Sequence, residues 1–129
     1  MPARIVVVHD DEHFTRTLTT ALRSAGHDVA AFQDPLLAHD PIETAQRVEV
    51  LITRVEFPPG RSNGLSLAWM TRSKRPGLKV LFVALPEHLP QIEGLGAFLP
   101  LTTPVESVLA TVERMLTESE LLTEQPEWR

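Results

Sequence analysis

The chain has 129 residues, a formal net charge of −5 and no cysteine. That length suits one domain, and the missing cysteine excludes disulfides, thiolate metal sites and cysteine nucleophiles. The negative charge argues against a nucleic-acid partner, and no apolar run approaches the roughly 20 residues that a membrane-spanning helix needs. The first residues do not have the layout of a signal peptide. We therefore expect a stand-alone cytoplasmic domain with neither a membrane nor a nucleic-acid partner.

Short apolar runs alternate with amphipathic stretches, which is typical of βα units around a parallel sheet. Five of these runs are predicted to be strands: residues 5–8, 27–32, 48–53, 80–84 and 97–99. The first run is continuously apolar and β-branched, as expected for a central strand that is covered on both faces. The pattern predicts a five-stranded, doubly wound parallel sheet in three α/β/α layers. This is a flavodoxin-like α/β fold with strand order 2-1-3-4-5.

Helix signals fill the first stretches between these strands. The first helix has an apolar face that includes Phe14, Leu18 and Leu22, and it ends near Gly26, where a C-cap is expected. Residues 33–47 are interrupted by prolines, so they predict one or two short helices.

The second half of the chain continues the alternation. A loop is predicted at residues 54–63, followed by a helix with Leu65, Ala68 and Trp69 on one side. Prolines restrict any helix between the fourth and fifth strands to a short one. The last helix follows Pro104, a residue that suits a first helical turn.

Residues 118–129 are polar and end the chain. The default for such a segment is a frayed terminus. The predicted organisation is one domain over residues 1–117 and a polar tail over residues 118–129.

One edge of the predicted sheet gathers the candidate functional residues. In open parallel α/β sheets, ligands bind at the carboxyl ends of the strands. Here those ends carry a mixture of charged and apolar residues, which we call the strand-end site: His9, Asp10, Asp11, Arg54, Ala84 and Leu101.

The chain resembles the receiver domain of bacterial two-component response regulators, the CheY-like family, in four segments: residues 3–29, 48–64, 79–85 and 96–108. In that family a strand ends in two acidic residues and the next helix runs to a Gly-His pair, as in the first segment. The likeness covers about residues 3–117 and keeps the order and spacing of the segments. It implies the flavodoxin-like fold and a place in phosphorelay signalling.

Receivers take a phosphoryl group from a histidine kinase onto an aspartate after the third strand, beside a divalent cation held by oxygen ligands. At the matching positions this chain has Arg54 for the acceptor, Ala84 for the hydroxyl residue and Leu101 for the lysine. The acidic pair is His9 and Asp10, so only its second member is a carboxylate. The resemblance therefore implies a degenerate receiver without catalytic residues, which is not an enzyme.

Arg54 and Asp10 lie at the ends of neighbouring strands in such a fold, so we predict a salt bridge between them. An arginine stays protonated and cannot accept a phosphoryl group. Its charge would stand roughly where the cation stands in an active receiver. The alternative is that Arg54 points into solvent and pairs with nothing. Phe98 matches the aromatic residue that changes rotamer when receivers are activated, and without the hydroxyl residue we expect it to be fixed.

The run from His9 to His13 has the composition of a metal site. Adjacent residues point in different directions, however, and the run has no defined ligand spacing. Asp11 and Glu12 are expected instead to cap and charge the start of the first helix. The sequence therefore predicts no metal and no cofactor.

The leading interpretation is a phosphorylation-incompetent receiver that acts as a protein-interaction module in bacterial two-component signalling. Its partner would be a histidine kinase, a phosphotransferase, another regulator or a second copy of the chain. The resemblance places the partner surface on the fourth helix, the fifth strand and the last helix. The candidate residues of this interaction face are Leu89, Ile92, Val105, Val108 and Val112.

Two alternatives stay open at this point. In the first, a remaining acid (Asp10, Asp11 or Glu56) is the phosphoryl acceptor of an unusual phosphorelay. In the second, the site around Arg54 binds a small anion in place of phosphate.

Overall fold

The structure is a computed structural model that describes residues 4–58 and 63–124. Strands and helices alternate through the described residues. Their order is β1 (Arg4–Val8), α1 (Glu12–Ser24), β2 (Asp28–Phe32), α2 (Pro35–Thr44), β3 (Val50–Thr53), α3 (Gly64–Lys74), β4 (Lys79–Ala84), α4 (Leu89–Ile92), β5 (Ala97–Pro100) and α5 (Val105–Glu124). A single 3₁₀ turn, Pro86–His88, precedes α4. Neighbouring strands are parallel in the order β2-β1-β3-β4-β5, which confirms the predicted fold class.

The sheet is buried between two apolar layers, because successive side chains of each strand point to opposite faces. Ile5 and Val7 of β1 belong to the layer that contains α1 and α5. Val6 and Val8 belong to the layer that contains α2, α3 and α4. A central strand covered on both sides needs apolar residues at every position, and this explains the continuous apolar run of β1.

Side-chain caps set the start of three helices. The side chains of Asp11, Asp34 and Asn63 accept hydrogen bonds from backbone N–H groups in the first turns of α1, α2 and α3. Such caps satisfy N–H groups that have no partner within the helix. After α1, Gly26 has a φ of 95°, a left-handed conformation that glycine adopts without steric cost, as the sequence predicts.

The predicted face of α3 is wrong at Trp69, which is 69% exposed although the pattern placed it beside Ala68. A polar residue takes a core position instead. The hydroxyl of Thr71 donates to the carbonyl of Leu67 at 2.8 Å, so it is buried without an unsatisfied donor. The buried positions of α3 have the spacing of one helix face: Gly64, Leu67, Ala68 and Thr71.

The last helix is longer than the sequence predicts. α5 continues to Glu124, so the predicted boundary between residues 1–117 and a tail at 118–129 falls inside it. Residues 125–129 of that tail, and residues 59–62 of the predicted loop after β3, lie outside the described residues. None of the helices in the described part of the chain is long and apolar enough to span a membrane.

Candidate functional site

The carboxyl ends of β1 and β3 meet at one edge of the sheet because these strands are neighbours. There Arg54, the residue after β3, donates from Nη1 to Oδ1 of Asp10 at 2.8 Å. The two side chains are 24% and 23% exposed. The predicted salt bridge is therefore present, and the alternative of an unpaired Arg54 is wrong. A partly exposed pair of this kind contributes about 1 kcal/mol or less to stability.

His9 is a buried, neutral component of the strand-end site. Its ring lies against Phe14, with 4.5 Å between the ring centroids. Its Nδ1 accepts a hydrogen bond from the backbone N–H of Asp11 at 3.1 Å, so Nδ1 carries no proton. Burial, followed by the charge of Arg54, lowers the pKa of His9 from 6.5 to about 4, although Asp10 and Asp11 oppose this effect. The 3.9 Å approach of Nδ1 to Asp10 is therefore not an ion pair near neutral pH.

Asp11 serves α1 and not the centre of the site. Its Oδ1 accepts from the backbone N–H of Phe14 at 3.1 Å, and this hydrogen bond lowers the pKa of Asp11. The predicted capping role is confirmed. The two adjacent carboxylates thus belong to different structures, Asp10 to the ion pair and Asp11 to the helix cap. Among the described residues, no group of three closely spaced potential metal ligands includes a residue of 9–13.

The other side of the site is apolar. Ala84 is buried, and its carbonyl accepts a hydrogen bond from the N–H of Leu101 at 3.1 Å, just beyond the last paired residue of β5. The half-buried side chain of Leu101 packs against the layer of α1 and α5. Phe98 is also half-buried and packs against the opposite layer. Ala84 and Leu101 therefore offer neither a hydroxyl nor an ammonium group to a ligand.

No protein-family model and no curated protein matches the sequence. Solved structures do match. A CheY-like response regulator receiver from Methanospirillum hungatei has a TM-score of 0.83 at 20% identity, covering 93% of this chain and 98% of that one. The non-phosphorylated HemR receiver from Leptospira biflexa has a TM-score of 0.77 at 24% identity, covering 98% of this chain and 99% of that one. The chemotaxis protein CheY4 from Vibrio cholerae has a TM-score of 0.77 at 21% identity, covering 89% of this chain and 99% of that one. The chain has the fold of CheY-like receiver domains.

Within this receiver fold, the strand-end site holds a fixed ion pair. An arginine side chain stays protonated in proteins, so Arg54 is not a nucleophile at the first position after β3. A divalent cation that approached Asp10 would meet the positive charge of Arg54 at close range, where like charges repel strongly. The geometry therefore disfavours cation binding at Asp10.

The structure corrects the predicted interaction face of the receiver fold. Ile92, Val108 and Val112 are at most 1% exposed and belong to the core. A surface helix usually has one apolar stripe, and α5 uses its stripe against α1 and the sheet. Of the remaining predicted residues, Leu89 is exposed and Val105 is half-buried.

Large apolar side chains are exposed on a different part of the fold. We call Leu36 and Leu37 of α2 with Trp69 and Met70 of α3 the α2–α3 surface, and their exposed fractions run from 46% to 70%. Leu36 and Met70 also line a cavity of about 110 Å³ between the two helices. Exposed apolar patches mark interaction sites more often than scattered apolar residues do. The sequence did not predict this surface, because the apolar pattern of α3 placed Trp69 on the same side as Leu65 and Ala68.

Proposed function

We propose that the chain is a phosphorylation-incompetent, receiver-like protein that acts by binding another protein of a bacterial two-component system. One observation carries the proposal. Arg54, whose Nη1 lies 2.8 Å from Oδ1 of Asp10, follows β3 at the sequence position that matches the acceptor aspartate of receivers. The similar solved structures include a chemotaxis protein and other receivers, which supports a place in signalling.

The remaining acids near this edge support binding over phosphoryl transfer. Asp10 is engaged by Arg54, and Asp11 caps α1. Glu56 is exposed in the loop after β3, and its Oε1 lies 3.6 Å from Nε2 of His88. A phosphoryl group on any of these acids would also lack the hydroxyl and lysine that Ala84 and Leu101 replace. Phosphoryl transfer depends on such positioned charge-neutralising groups.

Incubation with Mg²⁺ and acetyl phosphate should leave the intact mass of the chain unchanged. The acceptor position holds a guanidinium, and the cation that would neutralise the phosphoryl oxygens is repelled by it. Mass spectrometry of the intact protein measures the result. A stable gain of one phosphoryl group on Asp10, Asp11 or Glu56 would refute the proposal.

The Arg54→Asp variant is the matched control for this experiment. It replaces the guanidinium with a carboxylate beside Asp10, so Mg²⁺ binding should appear in the variant and stay absent in the wild type at the same concentration. Isothermal titration calorimetry compares the two proteins. Equal Mg²⁺ affinity in both would show that the ion pair does not block the cation.

The binding half of the proposal predicts that a partner is lost when the α2–α3 surface is made polar. Trp69→Ser removes a large exposed aromatic side chain, the kind of residue that dominates interface energies. Leu89→Ser, at an exposed residue of the predicted interaction face and outside the α2–α3 surface, is the matched control. Co-purification from the native cells should recover a two-component signalling protein with the wild type and with Leu89→Ser, and much less with Trp69→Ser. Equal recovery with all three proteins would exclude this surface.

A further inference from the structure

Three potential metal ligands converge beside the strand-end site, on segments that are far apart in sequence. Glu56 lies in the loop after β3, and Glu87 and His88 lie in the 3₁₀ turn after β4. One ligand atom from each residue lies within 4.8 Å of the others. The parallel pairing of β3 with β4 brings the two segments together at the carboxyl edge of the sheet.

The distance between the ligand atoms of Glu56 and His88 fits two ligands of one cation better than a hydrogen bond between the two side chains. Nε2 of His88 lies 3.6 Å from Oε1 of Glu56. This is too long for a good hydrogen bond. Two atoms bound tetrahedrally to one Zn²⁺ at about 2.0–2.1 Å lie roughly 3.4 Å apart. Small movements of the exposed Glu56 and Glu87 side chains would complete the geometry.

The orientation of the imidazole provides an independent observation. Nε2 of His88 is buried and has no hydrogen-bond partner among the described residues, and the side chain is only 12% exposed. The other ring nitrogen, Nδ1, lies 3.4 Å from Oε1 of Gln91, an oxygen that can only accept. In the tautomer in which Nδ1 donates to this oxygen, Nε2 presents its lone pair towards the carboxylate of Glu56. Metal-binding histidines are commonly fixed by such a second hydrogen bond.

A second group of potential metal ligands in the chain differs from this cluster, because a positively charged side chain already neutralises part of it. The other described group of three potential ligands is His39, Asp40 and Glu43. There Lys74 already supplies a positive charge, because it pairs with Glu43 and lowers the pKa of that carboxyl group. Neither Glu56 nor Glu87 pairs with a lysine or arginine among the described residues.

We propose that Glu56, Glu87 and His88 form a Zn²⁺ site that joins the loop after β3 to the turn after β4. One nitrogen and two carboxylate oxygens suit Zn²⁺, whereas Mg²⁺ favours six oxygen ligands. Three protein ligands leave a coordination position for water or for a group of another protein. This site is separate from the Arg54–Asp10 pair and does not depend on the proposed signalling role.

Zn²⁺ titration of the chelator-treated full chain tests the proposal by calorimetry. One saturable site is expected, and Co²⁺ should give the visible absorption of a four- or five-coordinate ion at the same stoichiometry. Glu56→Gln, Glu87→Gln and His88→Gln should each weaken Zn²⁺ binding at least tenfold. Gln91→Ala, a positioning substitution, should weaken it by about tenfold. A large excess of Mg²⁺ should not displace the bound Zn²⁺.

His39→Gln and Glu43→Gln are the matched controls, and they should leave Zn²⁺ affinity unchanged. Urea unfolding without metal checks that each variant is folded. Glu56 is 66% exposed, so Glu56→Gln decides the matter if the His88 variant does not fold. Absence of saturable binding, unchanged affinity in Glu56→Gln, or a loss in the His39 variant would each overturn the proposal.

Discussion

Replacing Gly64 with alanine should lower the free energy of unfolding by about 3 kcal/mol. A Cβ atom at this position would lie 1.7 Å from the carbonyl oxygen of Arg54 and 2.8 Å from Oγ1 of Thr53. Backbone atoms cannot rotate out of the way as a flexible side chain can, so either the start of α3 or the end of β3 must move. Urea unfolding followed by circular dichroism measures the change.

Gly77→Ala is the matched control for this prediction. No atom lies within 4 Å of a Cβ at Gly77, and its φ is not positive. That substitution should leave stability within about 1 kcal/mol of the wild type, with any gain arising from a less flexible unfolded chain. Equal stability of the two variants would mean that α3 can shift away from Arg54 at little cost.

Acidification from pH 7 to pH 5 should cost about 2 kcal/mol of stability through His9 alone. The pKa of His9 is about 4 in the folded protein, below the unperturbed value of 6.5 that applies to the unfolded chain. Between these two pH values the unfolded chain binds a proton at His9 and the folded protein does not. The stability contributed by the neutral, buried ring is present above pH 6.5 and is lost as the pH falls towards 4. The pKa of Asp11 is also lowered in the folded protein, so the stability contributed by this carboxylate is lost only below about pH 3.8.

His9→Asn isolates this effect, because the asparagine carbonyl can accept from the N–H of Asp11 in place of Nδ1. Urea midpoints measured between pH 7 and pH 5 should change less in this variant than in the wild type. His13→Asn replaces an exposed histidine and should keep the wild-type slope. If His9→Asn also keeps the full slope, the pH dependence belongs to another group.

The sequence predicts the central sheet well because its signals are local and redundant. β1 and β4 are continuous apolar runs, and only strands covered on both faces require such runs. The helix faces are harder to predict, because small or hydrogen-bonded polar residues such as Gly64 and Thr71 can occupy core positions. The resemblance placed the partner surface at Val108 and Val112, which the structure shows to be core residues, because an apolar stripe does not say which partner covers it.

The strand-end site is predictable only where strand order alone brings residues together. β1 and β3 are neighbours in the predicted order, so the Arg54–Asp10 pair follows from the sequence. The buried ring of His9 contacts the ring of Phe14 and the backbone N–H of Asp11, and strand order does not predict this side-chain orientation. The convergence of Glu56 with His88 spans 32 residues, a separation that no local ligand spacing reveals.

Arg54 is a counter-ion for Asp10 that belongs to the same chain, so every copy of the chain carries one guanidinium for this carboxylate. A diffusible cation occupies its site in proportion to its free concentration and to its affinity, so its occupancy differs between conditions. An internal partner has no such dependence. In the proposed role, the electrostatic state of this edge would be the same in every molecule, and the strength of the output would follow from the number of molecules present.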